Sequence, residues 1–315
     1  MEKARPKSEC HCGGKTVYFR AYNGESLCAS CFSNSIREKV KKTISKYGML
    51  RYGDRVAVAL SGGKDSTSLL QIMDEIMEGH GSELFAVTID EGIEGYREES
   101  VKNAEKITSE LSIPLLVRSY KDYFDLSLDE VMVARSEKRL KLTSCAACGP
   151  LRRRAIDRAA GELGVNVVAT AHNLDDILQT FYINLHSGDV ERIGWLDPEF
   201  HPSTENFKLR RIKPAMEIYE QELAFFAYLN NLPFQSESCP YMNEGIRTEI
   251  RVHLNELERK HPGIKYSTFR TVLALSKSLD GELPKEKVVA RCEKCGSVSS
   301  GLICSVCETL RMIRP

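Results

Sequence analysis

The sequence contains no apolar run able to cross a membrane; stretches such as Val56–Leu60 fall far short of the ~18 residues that a spanning helix requires. It also lacks net charge. Lys plus Arg is 44 and Asp plus Glu is 44, so any surface for nucleic acid has to be a local patch. Aromatic residues are sparse at 8%, with a single tryptophan, Trp195. Glycine (21) and proline (11) are neither abundant nor periodic, which excludes collagen-like and low-complexity chains. Residues 1–30 hold cysteines, charges and glycines where a secretory signal would hold an apolar core. The expectation is a soluble cytoplasmic protein without a membrane partner, long enough at 315 residues for about two domains.

Cysteine is the residue in excess. Eleven are present, an odd number that argues against a fully paired disulfide framework. Near the C-terminus, Cys292-Glu-Lys-Cys295-Gly and Cys304-Ser-Val-Cys307 form two CxxC knuckles a short loop apart. That spacing presents four thiolates tetrahedrally to a structural zinc ion, and a terminal segment this short hardly folds without such a staple. Near the N-terminus, Cys28-Ala-Ser-Cys31 is a regular knuckle, whereas Cys10-His11-Cys12 has one intervening residue in place of two. Zinc is expected there as well, with either Cys10 or His11 as its first ligand. The expected organisation is a zinc finger over residues 1–33, a catalytic domain with a helical C-terminal part over 34–285, and a second zinc finger over 286–315.

Between these ends the pattern is α/β. A basic amphipathic stretch, Ile36–Tyr47, precedes the apolar run Val56-Ala-Val-Ala-Leu60, which suits a buried parallel strand. Ser61-Gly-Gly-Lys-Asp-Ser66 follows, and then Leu69, Leu70, Ile72, Met73 and Ile76 at helical spacing. Leu84–Asp90, Pro114–Arg118 and Val165–Ala171 read as further strands, and Ser100–Leu111 and Leu174–Leu185 as helices. Such alternation predicts a doubly wound parallel sheet with its ligand at the carboxyl ends of the strands. Gly62 and Gly63 let a backbone approach an anion, a helix beginning near Ser66 aims free N–H groups at it, and Ser61, Lys64 and Ser66 add hydroxyls and a cation. The loop is built for phosphate oxygens, yet it does not match the GxxxxGK[ST] pattern of γ-phosphate hydrolases.

SGGKDS after a first strand resembles the pyrophosphatase loop, or PP-loop, of ATP-dependent enzymes of the adenine nucleotide α-hydrolase-like fold. These cleave between the α and β phosphates and adenylate a substrate. Further matches are Asp90-Glu-Gly-Ile93, Cys145-Ala-Ala-Cys148-Gly149 with Arg152-Arg153, His172-Asn-Leu-Asp-Asp176 with Thr180, and Cys239-Pro240. With the terminal knuckles they narrow the resemblance, over essentially the whole chain, to the archaeal and eukaryotic cytosolic tRNA 2-thiouridine synthetases. The N-terminal CxC departs from that pattern, as does Ala171, where many relatives have glycine.

The resemblance implies ATP bound by Ala59, Ser61, Gly62, Gly63, Lys64, Asp65, Ser66, Ile89, Asp90, Arg152, Asp175 and Thr180. It implies catalytic roles, with Mg2+, for Lys64, Asp65, Arg152, Asp175 and Asp176. The residues alone leave alternatives: Asp175 and Asp176 suit helix capping, and Asp90 suits a strand-end turn. The remaining cysteines, Cys145, Cys148 and Cys239, would suit zinc completed by a histidine such as His172, or a disulfide or persulfide without metal. The resemblance favours an oxygen-sensitive 4Fe–4S cluster on these three thiolates, with one iron left open for sulfur.

The activity so implied is adenylation of a tRNA uracil C2 oxygen followed by its replacement with sulfur. The wobble uridine is favoured, with the T-loop uridine as the alternative. The partners implied are tRNA, a second copy of the chain, and a sulfur donor that is free sulfide, a ubiquitin-like thiocarboxylate or a desulfurase. Basic groups at Lys138–Lys141, Arg152–Arg158, Lys208–Lys213 and Arg247–Arg251 suit ordinary solvated faces. Their placement on both sides of the proposed chemistry favours a phosphate-backbone track, with Arg153, Arg154, Arg210, Arg211 and Arg247 as candidate tRNA contacts. Other classes remain: PP-loop amidation or lysidine-type ligation, which needs no cysteine triad, and a zinc-dependent RNA-binding adaptor with a vestigial nucleotide site.

Overall fold

The computed structural model of the chain describes residues 5–198, 209–242, 245–280, 290–299 and 301–314. A two-stranded ribbon, β1 (Tyr18–Arg20) and β2 (Glu25–Leu27), leads into helix α1 (Ala29–Lys46). Strands and helices then alternate: β3 (Arg55–Ala59), α2 (Lys64–Met77), β4 (Glu83–Asp90), α3 (Arg97–Glu110) and β5 (Leu115–Ser119). Helices α4 (Tyr120–Phe124), α5 (Leu128–Glu137) and α6 (Ser144–Glu162) follow, before β6 (Val167–Ala169), α7 (Leu174–His186) and α8 (Val190–Gly194). Then come β7 (Arg210–Ile212), α9 (Glu220–Leu229), α10 (Ile246–Lys260) and α11 (Ile264–Asp280). A second ribbon, β8 (Ala290–Arg291) and β9 (Val298–Ser299), and helix α12 (Ser305–Ile313) end the chain.

Five strands form one parallel sheet in the order β5-β4-β3-β6-β7, so the chain winds outward in both directions from β3. Val56 pairs with both Leu84 and Val167, which sets the three central strands in register. Alternate side chains of β3 feed two separate cores: Val56, Val58 and Leu60 with helices α1, α2 and α7 on one face, Ala57 with α4, α5 and α6 on the other. Burial on both faces is why the strand reads as an unbroken apolar run. Helix α2 buries Leu69, Leu70, Ile72 and Met73 completely, each such side chain worth ~1.5–3 kcal/mol.

The parallel doubly wound sheet expected from the sequence is present. Strand β7 was not expected, because Lys208–Lys213 reads as a basic cluster; Lys208 itself lies outside the described residues. Charge on an exposed edge strand blocks further pairing, and Ile212 alone in β7 is buried. The two cysteine-rich ends brace opposite faces of the sheet. Cys10, Leu27 and Cys28 share a core with Phe32 and Ile36, while Cys292, Cys304, Cys307 and Val306 join the core beneath α6. Helix α1 runs unbroken through the expected boundary at 33/34, and the one at 285/286 lies outside the described residues.

A buried ionic network fastens the first ribbon to the sheet domain. Glu222 of α9 is fully buried; it accepts from Arg20 Nε at 2.7 Å and Tyr22 OH at 2.9 Å, with Lys39 Nζ at 3.6 Å. Glu222→Ala leaves the Arg20 guanidinium buried without its main partner and is expected to cost ~3–5 kcal/mol in a urea titration. A loss below ~1 kcal/mol would show that apolar contacts alone hold the ribbon.

Candidate functional site

At the carboxyl ends of β3, β4 and β6, where the winding reverses, three loops converge. The loop after β3 is Ser61–Ser66. Gly62 has φ +78°, and a Cβ there would lie 2.1 Å from the Ser100 carbonyl oxygen, so α3's backbone demands this glycine. Gly63 differs: a Cβ would meet only Ser61 Oγ, at 3.6 Å. Its carbonyl accepts the first intrahelical bond of α2, from Thr67 N–H at 3.1 Å, and no side chain caps the helix. The amides of Lys64, Asp65 and Ser66 therefore precede the helical ladder and carry the positive end of its dipole. Ser66 Oγ accepts from the Ser61 amide at 3.1 Å and donates to Gly63 C=O at 3.0 Å, fixing the turn.

Lys64 Nζ lies 3.2 Å from Asp65 Oδ2 and 3.0 Å from Glu220 Oε1. Burial works against its charge, yet these two carboxylates raise its pKa. Asp65 is pushed up to about 7, by burial first and by the charges of Asp176 and Glu220 against the opposing Lys64. Its Oδ1 is buried without a hydrogen-bond partner. Beside Lys64 opens a cavity of about 520 Å3, with Tyr18, Tyr22, Glu220, Arg251 and Lys265 in its walls.

The loop after β6 carries His172 and leads into α7, which Asn173 and Asp176 cap reciprocally: Asp176 N–H donates to Asn173 Oδ1 at 3.0 Å, and Asn173 N–H to Asp176 Oδ2 at 3.1 Å. Asp176 also interacts with Asp65, and burial raises its pKa. Asp175 shares the cavity beside Lys64 but is held by other partners. Its Oδ1 meets the Lys265 ammonium and its Oδ2 accepts the Glu220 amide at 2.9 Å, all of them well covered. Thr180 Oγ1 donates to the Asp176 carbonyl and stands 3.4 Å from Arg247. His172 is exposed; surrounding protein first, then the cations Lys213, Arg247, Arg153 and Arg211, lower its pKa.

After β4, Asp90 Oδ1 accepts the Gly92 amide at 2.8 Å and so shapes the turn. Beside it, Glu91 is buried to 2% exposure between two guanidinium groups: Arg152 Nε is 2.7 Å from Oε1 and Arg97 Nε is 2.7 Å from Oε2. Arg97 reaches onward, donating to Ser61 C=O at 3.1 Å and Ile89 C=O at 2.6 Å. Ala59, at the end of β3, and Ile89, near the end of β4, flank this arrangement.

Cys145 and Cys148 lie one turn apart on α6, with Thr143 capping the helix. Cys148 is buried, 3.2 Å from Tyr120 OH, and Cys145 is exposed. Cys239 sits on a segment tied at both ends: Gln235 N–H donates to Gly62 C=O at 3.0 Å, and Tyr241 C=O accepts from Ser144 Oγ at 2.6 Å. Four residues of chain span at most ~14 Å, so the third cysteine is held between the glycine loop and the start of α6. The thiols interact: burial raises the pKa of Cys239, Cys148 and Cys145 add to this, and Arg152 opposes it. The three sulfurs do not all lie within 4.8 Å of one another, as ligands to a single ion would. Ligands to different irons of one cluster stand wider apart than ligands to one ion, which the spread of this donor set fits.

The terminal cysteines are gathered tightly. In each of the groups Cys10, Cys12, Cys28, Cys31 and Cys292, Cys295, Cys304, Cys307 the sulfurs lie within 4.8 Å of one another. Thiolates at ~2.3 Å from one zinc ion stand ~3.8 Å apart; Cys12–Cys28 is 3.5 Å and Cys295–Cys304 is 3.7 Å. The Cys304 amide donates to Cys292 Sγ and lowers its pKa, and the Cys307 amide donates to Cys304 Sγ. Cys10 rather than His11 completes its group; His11 Nδ1 lies 3.5 Å from Cys10 Sγ.

The basic candidates divide. Arg153, Arg211 and Arg247 stand with Lys213 around His172. Arg154 reaches Ser297 and Cys295 of the C-terminal knuckle. Arg210 is clamped to Asp54 at 2.5 Å, at the opposite edge of the sheet, because β7 alternates its side chains between faces and Arg210 precedes the site by the strand's length. Reading the sequence missed Glu91, Arg97, Glu220 and Lys265. Glu91 lies inside the Asp90–Ile93 match and was the one within reach; the others carry no local spacing signal.

Comparison with known proteins gives a consistent result. A PP-loop domain family matches residues 32–258. The cytoplasmic tRNA 2-thiolation protein 1 of Chlamydomonas reinhardtii is 35% identical over 290 residues, 91% of this chain and 79% of that protein. The tRNA 2-thiolation protein NcsA of Haloferax volcanii is 34% identical over 323 residues, covering 97% and 99%. Among solved structures, the U34-tRNA thiolase NcsA from Methanococcus maripaludis with its [4Fe-4S] cluster superimposes with a TM-score of 0.82 at 30% identity, over 97% of this chain and 96% of that one.

Two expectations follow from the loop geometry. Gly62→Ala should cost ~2–4 kcal/mol and abolish nucleotide binding, through backbone overlap at positive φ. Gly63→Ala should keep the melting temperature within ~2 °C and weaken binding alone; differential scanning fluorimetry with and without ATP separates the two. The raised pKa of Asp65 means the folded state holds a proton that the unfolded state releases near pH 3.8. Its contribution to stability is complete below that pH, declines as pH rises and is gone above about pH 7. Asp65→Asn should therefore gain stability relative to the parent protein between pH 5 and pH 8; a pH-independent difference in urea titrations would contradict this.

Proposed function

The chain belongs to the PP-loop tRNA 2-thiolation proteins, and on that premise we propose that it is an ATP-dependent tRNA uridine 2-sulfurtransferase acting at the wobble uridine. One observation supports this beyond likeness: the Cys239 segment is anchored to the glycine loop at Gly62 and to the CxxC helix at Ser144. That double anchoring supports reading the nucleotide loop and the thiols as parts of one site.

A uracil C2 oxygen is a very poor leaving group, so sulfur cannot displace it directly. Attack of that oxygen on the α-phosphorus of ATP expels pyrophosphate and leaves an AMP ester. Sulfur then attacks C2 and expels AMP, leaving C2=S. In this reading the first-turn amides of α2 and Lys64 hold the phosphate oxygens. Lys64 is already charged and exchanges its contacts with Asp65 and Glu220 for those oxygens. Asp65 and Asp176, two carboxylates within interaction distance, would hold Mg2+. Asp175, bound to Lys265, would fix the position of α7 and of the Glu220 amide. A 4Fe–4S cluster on Cys145, Cys148 and Cys239 would supply the sulfur nucleophile when bound. Arg152 stands between the thiols and Glu91, where it stabilises negative charge as AMP departs. Arg153, Arg211, Lys213 and Arg247 would receive the tRNA backbone.

Zinc in the terminal cysteine groups, a homodimer and a cytoplasmic location complete the proposal. Free sulfide or a ubiquitin-like thiocarboxylate can feed such a site with sulfide-level sulfur, and a desulfurase persulfide can do so together with a two-electron thiol reductant. Among the described residues no helix is long and apolar enough to cross a membrane. The test is anaerobic purification with iron and acid-labile sulfide analysis, followed by mapping of 2-thiouridine in tRNA. Cys145→Ala and Cys239→Ala are each expected to remove iron and thiolation while ATP binding survives. Thiolation retained in either variant would refute the assignment of the three thiols.

A further inference from the structure

Glu91 is the most buried charge at the site, and the reaction outlined above gives it no chemical step. Its side chain is 3% exposed and contacts two guanidinium groups at 2.7 Å each. Its backbone is fixed as well, since its carbonyl accepts the Leu128 amide at 2.7 Å. The Arg97 side of this arrangement is a close charge contact without hydrogen-bond geometry, and Arg152, with nearly half its surface open, needs a fixed partner to keep one place. Charge attraction to Glu91 is the largest influence on the Arg152 guanidinium, ahead of Cys148, Tyr120 and Cys239. The second arm, Arg97, ends on the Ser61 carbonyl, the first residue of the glycine loop.

We propose that Glu91 is the positioning residue of the reaction: through Arg97 it registers Arg152, and with it the thiol side, against the nucleotide loop. This deepens the thiolation reading and rests on it. Removing the carboxylate should leave the phosphate-binding amides and Lys64 in place but free Arg152. Misplacement of about 1 Å near a reacting centre is worth ~100-fold in rate.

Glu91→Gln, which retains the side chain's size, is expected to lower kcat for tRNA thiolation by ~100-fold while KM for ATP changes less than ~3-fold. Combined with Arg152→Ala it should add no further loss, because both changes remove one coupled unit. A merely structural role would move KM and melting temperature together and would multiply with Arg152→Ala. Glu91→Asp, which keeps the charge one methylene short, should recover part of the rate; it also serves if Glu91→Gln fails to fold. Hydrogen exchange in the protein as purified needs no activity: amides of the 61–66 loop and of the start of α6 should both exchange roughly tenfold faster in Glu91→Gln. A kcat within ~3-fold of the parent, a multiplicative double variant, or exchange unchanged at either segment would overturn the proposal. Absence of thiolated tRNA with the parent protein would instead overturn the thiolation reading, and the exchange measurement would still decide the role of Glu91.

Discussion

Parallel pairing of β3 with both β4 and β6 brings three strand ends to one level, and the charged groups of the site hang from those ends. Antiparallel neighbours would alternate their ends and scatter the loops. Here each strand delivers a loop to the same side: the glycine loop from β3, Glu91 from β4, His172 and the capped start of α7 from β6. The right-handed crossovers that parallel strands require also place α2 and α7 with their N-termini at the site. Two helix dipoles and a turn of unpaired amides thus face one region because of the order of strands, before any side chain is considered.

That geometry collects charge, and the protein balances it in local groups. Lys64 is shared by Asp65 and Glu220, Glu91 by Arg97 and Arg152, and Asp175 is paired with Lys265. Asp65 is the least balanced of these: beside Lys64 it also faces Asp176 and Glu220, its Oδ1 lacks a partner, and its pKa rises to about 7. Two carboxylates kept close at such cost suit a divalent cation better than they suit stability. The cations around His172 show the same logic with opposite sign, since Arg153, Arg211, Lys213 and Arg247 repel one another there and a polyphosphate backbone would relieve them.

Much of this was legible in the sequence, and what was not has identifiable causes. Val56–Leu60 declared a buried strand because both its faces are covered, and the loop SGGKDS declared the PP-loop family, which the match over residues 32–258 bears out. The paired spacings of the terminal cysteines specified tetrahedral sets that the sulfur distances match. Strand β7 was hidden because an edge strand is built from the residues that otherwise mark a solvated face. Arg210 was indistinguishable from Arg211 in the sequence, yet one-residue alternation along β7 sends the first to Asp54 and the second to Asp157. Gly62 was read as making room for an anion; its nearest neighbour is the backbone of α3. Glu220 and Lys265 are set by long-range packing of α9 and α11 against α2 and α7, which no local pattern encodes.

The cysteine-rich ends then acquire a reason to exist at both ends and on both faces. Through Arg20 and Glu222 the N-terminal ribbon grips α9, the helix whose first residue, Glu220, neutralises Lys64. Through Arg154 the C-terminal knuckle grips α6, the helix that carries Cys145, Cys148 and Arg152. One module therefore steadies the nucleotide half of the site and the other steadies the thiol half. Helices that must hold buried, strained charges at fixed separation lose stability at the site itself, and a tetrahedral metal set is a compact means of restoring it where little apolar surface is left to bury. On this argument the two modules brace the helices that carry the proposed site, each joined to the sheet through one of its two cores.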